Sequence, residues 1–487
     1  MRKKMKIVLI SPPGNIEKTL GKLKKLSSAM PPMGLAYTAA NLIKNSFEVE
    51  IVDSFASNLS IEQTIDTIKN KNPDIVGLSV LTPGAPIAHR VAKGIKQYNQ
   101  DIKIIFGGAH AALLPEETLS DNNVDFVVRA EGEVSIVEIA KALEKGDAFE
   151  NIKNISYRKS SKIVHNPEGG YILNLDELPF PAWHLLDLNL YGAPPHWNLK
   201  SPCFPLMASR GCPYRCTYCS LKTMGKQYRK RSVNNVVDEI EWLVNKFNAK
   251  EIMFMDAAFP LDKKWGIEIC NELIKRDLHK KIVWLCETRV NHVDLELLKK
   301  MREAGCRRVA YGIESGVQEL LNNIKKGFKI EQVREAIKMT KQADLEIIAY
   351  FMLGLPGETK ELSLKTIEFA KELDADFVKF NLAVPYPGTE MYEDAVKEGT
   401  LKSMDWEIYT SFSAMTGFDP VYTPKGMSKE DLMDIQKLAI RKYYFRPHYI
   451  IKHLSKMRSF KDISRDLKAG LSLIKGITNK KKKSNKK

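Results

Sequence analysis

Arg210-Gly211-Cys212-Pro213-Tyr214-Arg215-Cys216-Thr217-Tyr218-Cys219-Ser220 lies mid-chain, just after the apolar stretch Phe204-Pro205-Leu206-Met207-Ala208. Its three cysteines are spaced C-x-x-x-C-x-x-C. An apolar run feeding a cysteine loop, with a helical pattern after it, reads as strand, loop and helix. Cysteine thiolates are the usual ligands of iron–sulfur clusters. A four-iron cubane held by three cysteines leaves one iron without a protein ligand, an open position of the kind catalytic metals keep. Structural zinc is the rival reading, but it wants four ligands in two short-spaced pairs. No second such pair occurs, and Cys203 precedes the apolar stretch.

Outward from this loop, strand and helix patterns alternate. After the helix Ser232 to Phe247, strands are expected at Glu251 to Met255, Ile282 to Glu287, Arg308 to Ile313, Glu346 to Met352 and Phe377 to Leu382, with helices between them. With the strand before the cysteines this makes six βα units, a partial TIM-type barrel whose chemistry sits on the loops at the strand carboxyl ends. Those ends carry Asp256, Arg289, Glu314-Ser315, Gly354 to Glu358 and Pro385-Tyr386-Pro387-Gly388-Thr389. For Asp256, Arg289 and Glu314 the competing reading is a loop cap or a buried ion pair.

Toward the amino terminus a second alternation runs from the strand Met5 to Ser11 to the helix Val134 to Glu144, predicting a doubly wound, Rossmann-like parallel sheet covered on both faces. Such sheets bind ligands at their carboxyl ends. Here those ends contain Ser79, Thr82, Gly107-Gly108-Ala109-His110 and Glu131-Gly132-Glu133. Small residues there admit a flat, bulky ligand to the backbone, and the glycines do not form the dinucleotide pattern G-x-G-x-x-G. A polar hairpin around Lys159-Ser160-Ser161 and a linker rich in proline and tryptophan (Asn174 to Pro205) join the two units.

The cysteine spacing, with an aromatic before the last cysteine, resembles the radical S-adenosylmethionine (SAM) superfamily. Tyr311-Gly312-Ile313-Glu314-Ser315-Gly316 and Gly354-Leu355-Pro356-Gly357-Glu358 strengthen the likeness. Met30-Pro31-Pro32-Met33-Gly34-Leu35 and Gly107 to Leu119 resemble the cobalamin-binding domain of one subgroup, which includes anaerobic magnesium-protoporphyrin ester cyclase-type proteins and class B methyltransferases. The resemblance implies a 4Fe-4S cluster on Cys212, Cys216 and Cys219, with SAM chelated at the open iron. It places Tyr218 near adenine, Asp256 near the SAM amino group, Glu314 and Ser315 near the ribose, and Gly354 and Gly357 under the adenine. It also implies cobalamin against the first domain, without the D-x-H-x-x-G motif that supplies a lower histidine. His110 is the one residue placed to reach cobalt; its other reading is a loop residue near the corrin.

The implied reaction is methylation of an unactivated carbon through a 5′-deoxyadenosyl radical and methylcobalamin. A cobalamin-dependent cyclase or ring-rearranging enzyme is the alternative. A non-catalytic basic binding protein with a structural cluster is the remote one. An external electron donor of flavodoxin or ferredoxin type is implied, with a small-molecule or lipid substrate.

The domain expectation is 1–150 for cobalamin, 151–200 for hairpin and linker, 201–400 for the barrel, 401–478 for a helical cap and 479–487 for a lysine tail. The chain is 487 residues long, 44% hydrophobic, with net charge +16, six of those charges in the tail from Lys480. A basic balance suits nucleic acid, anionic lipid, an acidic substrate or simply a lysine-rich proteome; without a stacking module, no nucleic acid is expected. No signal peptide is visible, and no apolar run reaches 18 residues. The expected place is the cytoplasm, with the basic, aromatic stretch Arg441 to Lys452 serving either as a cap helix or as a peripheral contact with the inner membrane surface.

Overall fold

The computed structural model describes residues 4–15, 18, 21, 29–192, 199–220 and 223–455. Two sheets organise the chain. The first is seven-stranded, built from β1 (Lys6–Ser11), β2 (Glu48–Asp53), β3 (Ile75–Ser79), β4 (Lys103–Gly107), β5 (Phe126–Val128), β6 (Ile155–Lys159) and β7 (Lys162–His165), in the order β2-β1-β3-β4-β5-β6-β7. Strands β1 to β5 run parallel. Because side chains alternate along a strand, Ile7 and Leu9 enter one core with the helices Met33–Lys44 and Gly132–Lys145. Val8 and Ile10 enter the other core, with Ile61–Lys71 and Ala85–Tyr98. The continuous apolar run of β1 is thus what a sheet buried on both faces requires.

The hairpin β6–β7 is not part of the linker. It pairs antiparallel onto β5 and extends the first sheet, so the sheet reaches past residue 150. The linker itself packs on both units: Ala182 joins the first core and donates its N–H to Ala36 O at 3.0 Å, while the next residue, Trp183, is buried in the barrel core. Pro194, Pro195 and Trp197 lie outside the described residues.

The second sheet holds β8 (Cys203–Leu206), β11 (Glu251–Phe254), β12 (Val283–Thr288), β13 (Cys306–Glu314), β14 (Glu346–Leu353) and β15 (Phe377–Leu382), all parallel and neighbouring in that order. This is the expected six-stranded partial barrel. Its outer helices begin at side-chain caps that satisfy free backbone N–H groups: Ser232, Asp262, Asp294 and Thr359. Between β8 and β11 a two-residue pair, β9 (Ser209–Arg210) with β10 (Arg229–Lys230), clips the ends of the cysteine loop together. Cys286 and Cys306 are buried in the barrel wall, Cys270 is buried on the outer helix Lys263–Lys275, and Cys203 lies half-buried on β8.

A partial barrel leaves β15 as an open edge, and unpaired backbone groups there need cover. The helix Lys429–Tyr444 supplies it. Gln436 Nε2 donates to Phe380 O at 2.9 Å, and the Tyr444 hydroxyl donates to Val378 O at 2.6 Å while accepting from Val378 N at 3.1 Å. Further on, the Tyr443 and Tyr449 hydroxyls donate to Ala375 O and Asp376 O, and Lys452 Nζ pairs with Asp374 at 2.8 Å. These partners precede β15, so the aromatic, basic stretch closes the underside of the barrel, not its mouth. The end of the expected cap, from residue 456, and the lysine tail lie outside the described residues. Among the described residues no helix is long and apolar enough to cross a membrane.

Candidate active site between the two sheets

The cysteine loop leaves β8 at the barrel mouth. Gly211 has φ +80°, and a Cβ there would lie 2.1 Å from Gln227 O, so only glycine turns the chain into the loop. The Cys212 N–H donates to Gly225 O and the Thr217 N–H to Ile324 O, which ties the loop at both ends. Cys212 is buried, Cys216 half-buried and Cys219 exposed. Burial first, then charge on Cys216 and Cys212, pushes the Cys219 thiol up to about 11. Among the described residues no group of three His, Cys, Asp or Glu gathers around one ion site. A cubane binds each cysteine at a different iron, so its ligands stand apart by nature. Three thiols on one tied loop fit that donor set.

Arg289, at the end of β12, stacks 3.5 Å over the Tyr214 ring and brings Nη1 to 3.8 Å from Cys216 Sγ. It also donates to Lys326 O. Tyr214 in turn bonds His292. Beside them Glu314, in left-handed backbone at the end of β13, accepts from the Tyr218 hydroxyl at 2.8 Å and from Lys326 Nζ at 2.7 Å. Lys326 also reaches the Tyr218 hydroxyl at 2.9 Å. Burial, then the Glu314 charge, keeps the Tyr218 phenol far above its ordinary range. Ser315 is fully buried, bonded to Thr366 Oγ1 at 3.1 Å and accepting from Val317 N, so its hydroxyl serves the turn.

Asp256, after β11, is turned into the protein. Its carboxylate accepts from the Ala208 N–H at 2.9 Å and from the Ser209 hydroxyl, and burial pushes it up to about 7. It holds the stem of the cysteine loop. Gly354 and Gly357 both take left-handed backbone at the turn after β14, and Glu358 closes that turn by accepting from Leu355 N and Ser363 Oγ.

On the facing sheet, Ser79 ends β3 opposite Gly107. Gly108 has φ +89°, and a Cβ there would lie 2.8 Å from Val80 N and O; at Gly107 a Cβ would meet nothing within 4 Å. Leu81, in the adjoining turn, is 62% exposed although apolar, and Thr82 beside it is buried. An open-backed glycine turn beside an uncovered leucine fits a flat, largely apolar ring such as a corrin. His110 is not in a loop. It sits on the one-turn helix Ala109–Leu113, 1% exposed, edge-on to Trp406 at 5.4 Å. Neither ring nitrogen has a hydrogen-bond partner among the described residues, and burial holds the imidazole neutral, down to about 4.

Glu131 takes another task. It accepts from Arg210 Nη1 at 3.0 Å, from Arg229 Nη1 at 2.9 Å and from the Ile172 N–H at 2.7 Å, while Glu133 accepts from Arg210 Nη2 at 2.6 Å. Arg210 and Arg229 are the paired residues of β9 and β10, so the cysteine loop is bolted to the turn at Gly132 that opens the last helix of the first unit. Sequence reasoning missed Arg229 and Lys326. Arg210, inside the quoted loop, was visible there; nothing in spacing marks the others.

Comparison with known proteins agrees with this layout. The radical SAM superfamily model matches residues 206–370, and the B12 binding domain model matches residues 23–140. An uncharacterised methyltransferase of Pyrococcus horikoshii is 35% identical over 461 residues, covering 94% of this chain and 96% of that one. The anaerobic magnesium-protoporphyrin IX monomethyl ester cyclase of Rubrivivax gelatinosus is 29% identical over 88% of this chain and 76% of its own. The radical SAM methyltransferase TsrM of Kitasatospora setae, solved with cobalamin and a [4Fe-4S] cluster, superposes with TM-score 0.73 at 17% identity, over 97% of this chain and 99% of that one. With a cluster loop on one strand-end face, an open glycine turn on the other and both families matched in order, this chain belongs to the cobalamin-binding radical SAM enzymes, whose cofactors are a 4Fe-4S cluster, SAM and cobalamin.

Proposed function

We propose that the chain methylates an unactivated carbon of a substrate held between its two sheets. The observation that carries this reading is the buried bolt of Arg210 and Arg229 on Glu131, which fixes the cysteine loop against the first sheet at the Gly132 turn. When bound, the cluster and SAM supply a hydrogen-abstracting radical and cobalamin supplies the methyl group. Cys212, Cys216 and Cys219 would hold the cluster, and the Arg289 guanidinium beside Cys216 offsets thiolate charge. Tyr218, Glu314 and Lys326 would orient SAM as one hydrogen-bonded group. Gly107 and Gly108 would give the corrin access to backbone.

The electron would come from an external donor of flavodoxin or ferredoxin type. Peripheral contact with anionic lipid would rest on Phe445, Ile450 and Ile451, which are exposed near Lys442, and flotation with acidic vesicles tests it. The relatives named as cyclases support a second outcome, ring closure after the same hydrogen abstraction.

The test is anaerobic purification, reconstitution with iron, sulfide and hydroxocobalamin, and metal analysis after desalting. Cobalt and iron together, followed by label from methyl-labelled SAM appearing in a product of cell extract, support methyl transfer. Consumption of SAM to 5′-deoxyadenosine with an unlabelled, altered product favours cyclisation. Iron without cobalt overturns both.

A further inference from the structure

The inner wall of the barrel changes character with height. Low in the barrel, Met253, Leu285, Ala310 and Ile348 are buried against one another as a plug separate from the outer core. Two residues further along the same strands, the same face carries Glu287, Gly312 and Tyr350, with Lys379 two residues beyond Phe377 on β15. These four are half-buried while their strand neighbours Cys286, Thr288, Tyr311, Ala349, Phe351, Val378 and Phe380 are buried, as alternation across an open inner wall requires. Tyr350 donates its hydroxyl to Glu287 Oε1 at 3.1 Å, and Lys379 Nζ stands 5.3 Å from the Tyr350 ring centroid. Barrel interiors are filled mainly by branched apolar side chains. A carboxylate, a phenol and an ammonium on the plug therefore need a polar occupant above them, because hydrocarbon laid on them would strip their hydration without return.

We infer that Glu287, Tyr350 and Lys379 form the floor of the substrate pocket, and that the substrate carries a carboxylate or phosphate bound by Lys379. This rests on the radical SAM reading but not on methyl transfer. An ammonium has three N–H donors, so a protein partner leaves room for a ligand oxygen. Burial outweighs the Glu287 charge at Lys379 and brings it down to about 8. The charged groups facing it are Glu287 from β12 and, further round the wall, Glu314 with Lys326. Anion binding is then present below about pH 8 and weakens as pH rises through it.

The test uses the loaded full-length enzyme and three fractions of cell extract: water-soluble material retained on an anion exchanger, acidic lipids and neutral lipids. The readout is stimulated formation of 5′-deoxyadenosine. One of the two anionic fractions should stimulate, the responding arm telling a free anion from a lipid headgroup. Lys379→Met, with iron and cobalt content equal to the wild type, should need ~10–150-fold more of that fraction, the equivalent of one charge-assisted hydrogen bond. Lys379→Arg should recover most of the response. Stimulation by neutral lipid alone, no response to either anionic fraction, or an undiminished response in Lys379→Met overturns the proposal. A Lys379→Met defect cured by added SAM also overturns it, assigning the residue to SAM. Methyl-labelled SAM run in parallel separates the two readings: stimulation without labelled product sustains the anion site and overturns methyl transfer.

Discussion

Arg289 brings a guanidinium to 3.8 Å from the Cys216 sulfur while stacked 3.5 Å over Tyr214. Groups that touch metal ligands set their charge and orientation, and removing them typically costs 10–100-fold in loading or activity. Arg289→Met should therefore lower iron retention or SAM cleavage by ~10–100-fold, read by iron analysis and 5′-deoxyadenosine yield. Glu358 gives a second prediction. Burial pushes it up to about 7 from 4.5. Between those values the folded chain holds a proton that the unfolded chain has lost, so stability falls as pH rises from 4.5 to 7 and levels off above. The full effect is about 3 kcal/mol. Glu358→Gln should unfold at a higher temperature than wild type at pH 8, with the gap closing by pH 5. At this scale the cysteines were legible because the cluster demands its ligands within one loop. Lys326 was not, because it reaches Tyr218 across 108 residues and only folding brings them together.

Gly108 shows how much one turn carries. A Cβ there meets Val80 backbone at 2.8 Å and the backbone is left-handed, so Gly108→Ala should destabilise the first unit by ~1–3 kcal/mol and reduce retained cobalt after desalting. Along the barrel's open edge, Tyr444→Phe removes a hydroxyl that serves both Val378 N and Val378 O. The two buried backbone groups lose their partner, and the melting temperature should drop in proportion to ~1–3 kcal/mol. Apolar runs bounded by turns revealed most strands and helices. The strand expected at Phe377 to Leu382 is β15, with the same bounds, and the strand expected at Met5 to Ser11 is β1, Lys6–Ser11. The hairpin β6–β7 was seen as a hairpin, but pairing onto β5 is a long-range choice that local pattern does not encode. The same holds for Tyr443, Tyr444 and Tyr449. Their mixture with basic residues looks like an interfacial surface until their hydroxyls are seen on carbonyls beneath the barrel.

At the scale of the molecule, two units are fastened by buried charge. Removing one partner of a buried pair strands the other, at a cost of ~3–5 kcal/mol. The double change Glu131→Gln with Glu133→Gln should leave each sheet folded but loosen their contact, giving earlier proteolytic cleavage between them and a larger radius of gyration in solution scattering. Cysteine placement has a practical corollary. Four of the seven cysteines sit on strands or helices of the barrel: Cys286 and Cys306 in the wall, Cys270 on the outer helix Lys263–Lys275 and Cys203 on β8, with the Cys203 and Cys270 thiols pushed far up by burial. Thiolates alkylate and buried thiols do not. In the native protein, then, iodoacetamide should mark Cys216 and Cys219, the loop cysteines that are not buried, and only on molecules that lack iron. Intact mass after a brief alkylation thus becomes a direct gauge of how many molecules in a preparation carry their cluster, with no spectroscopy required.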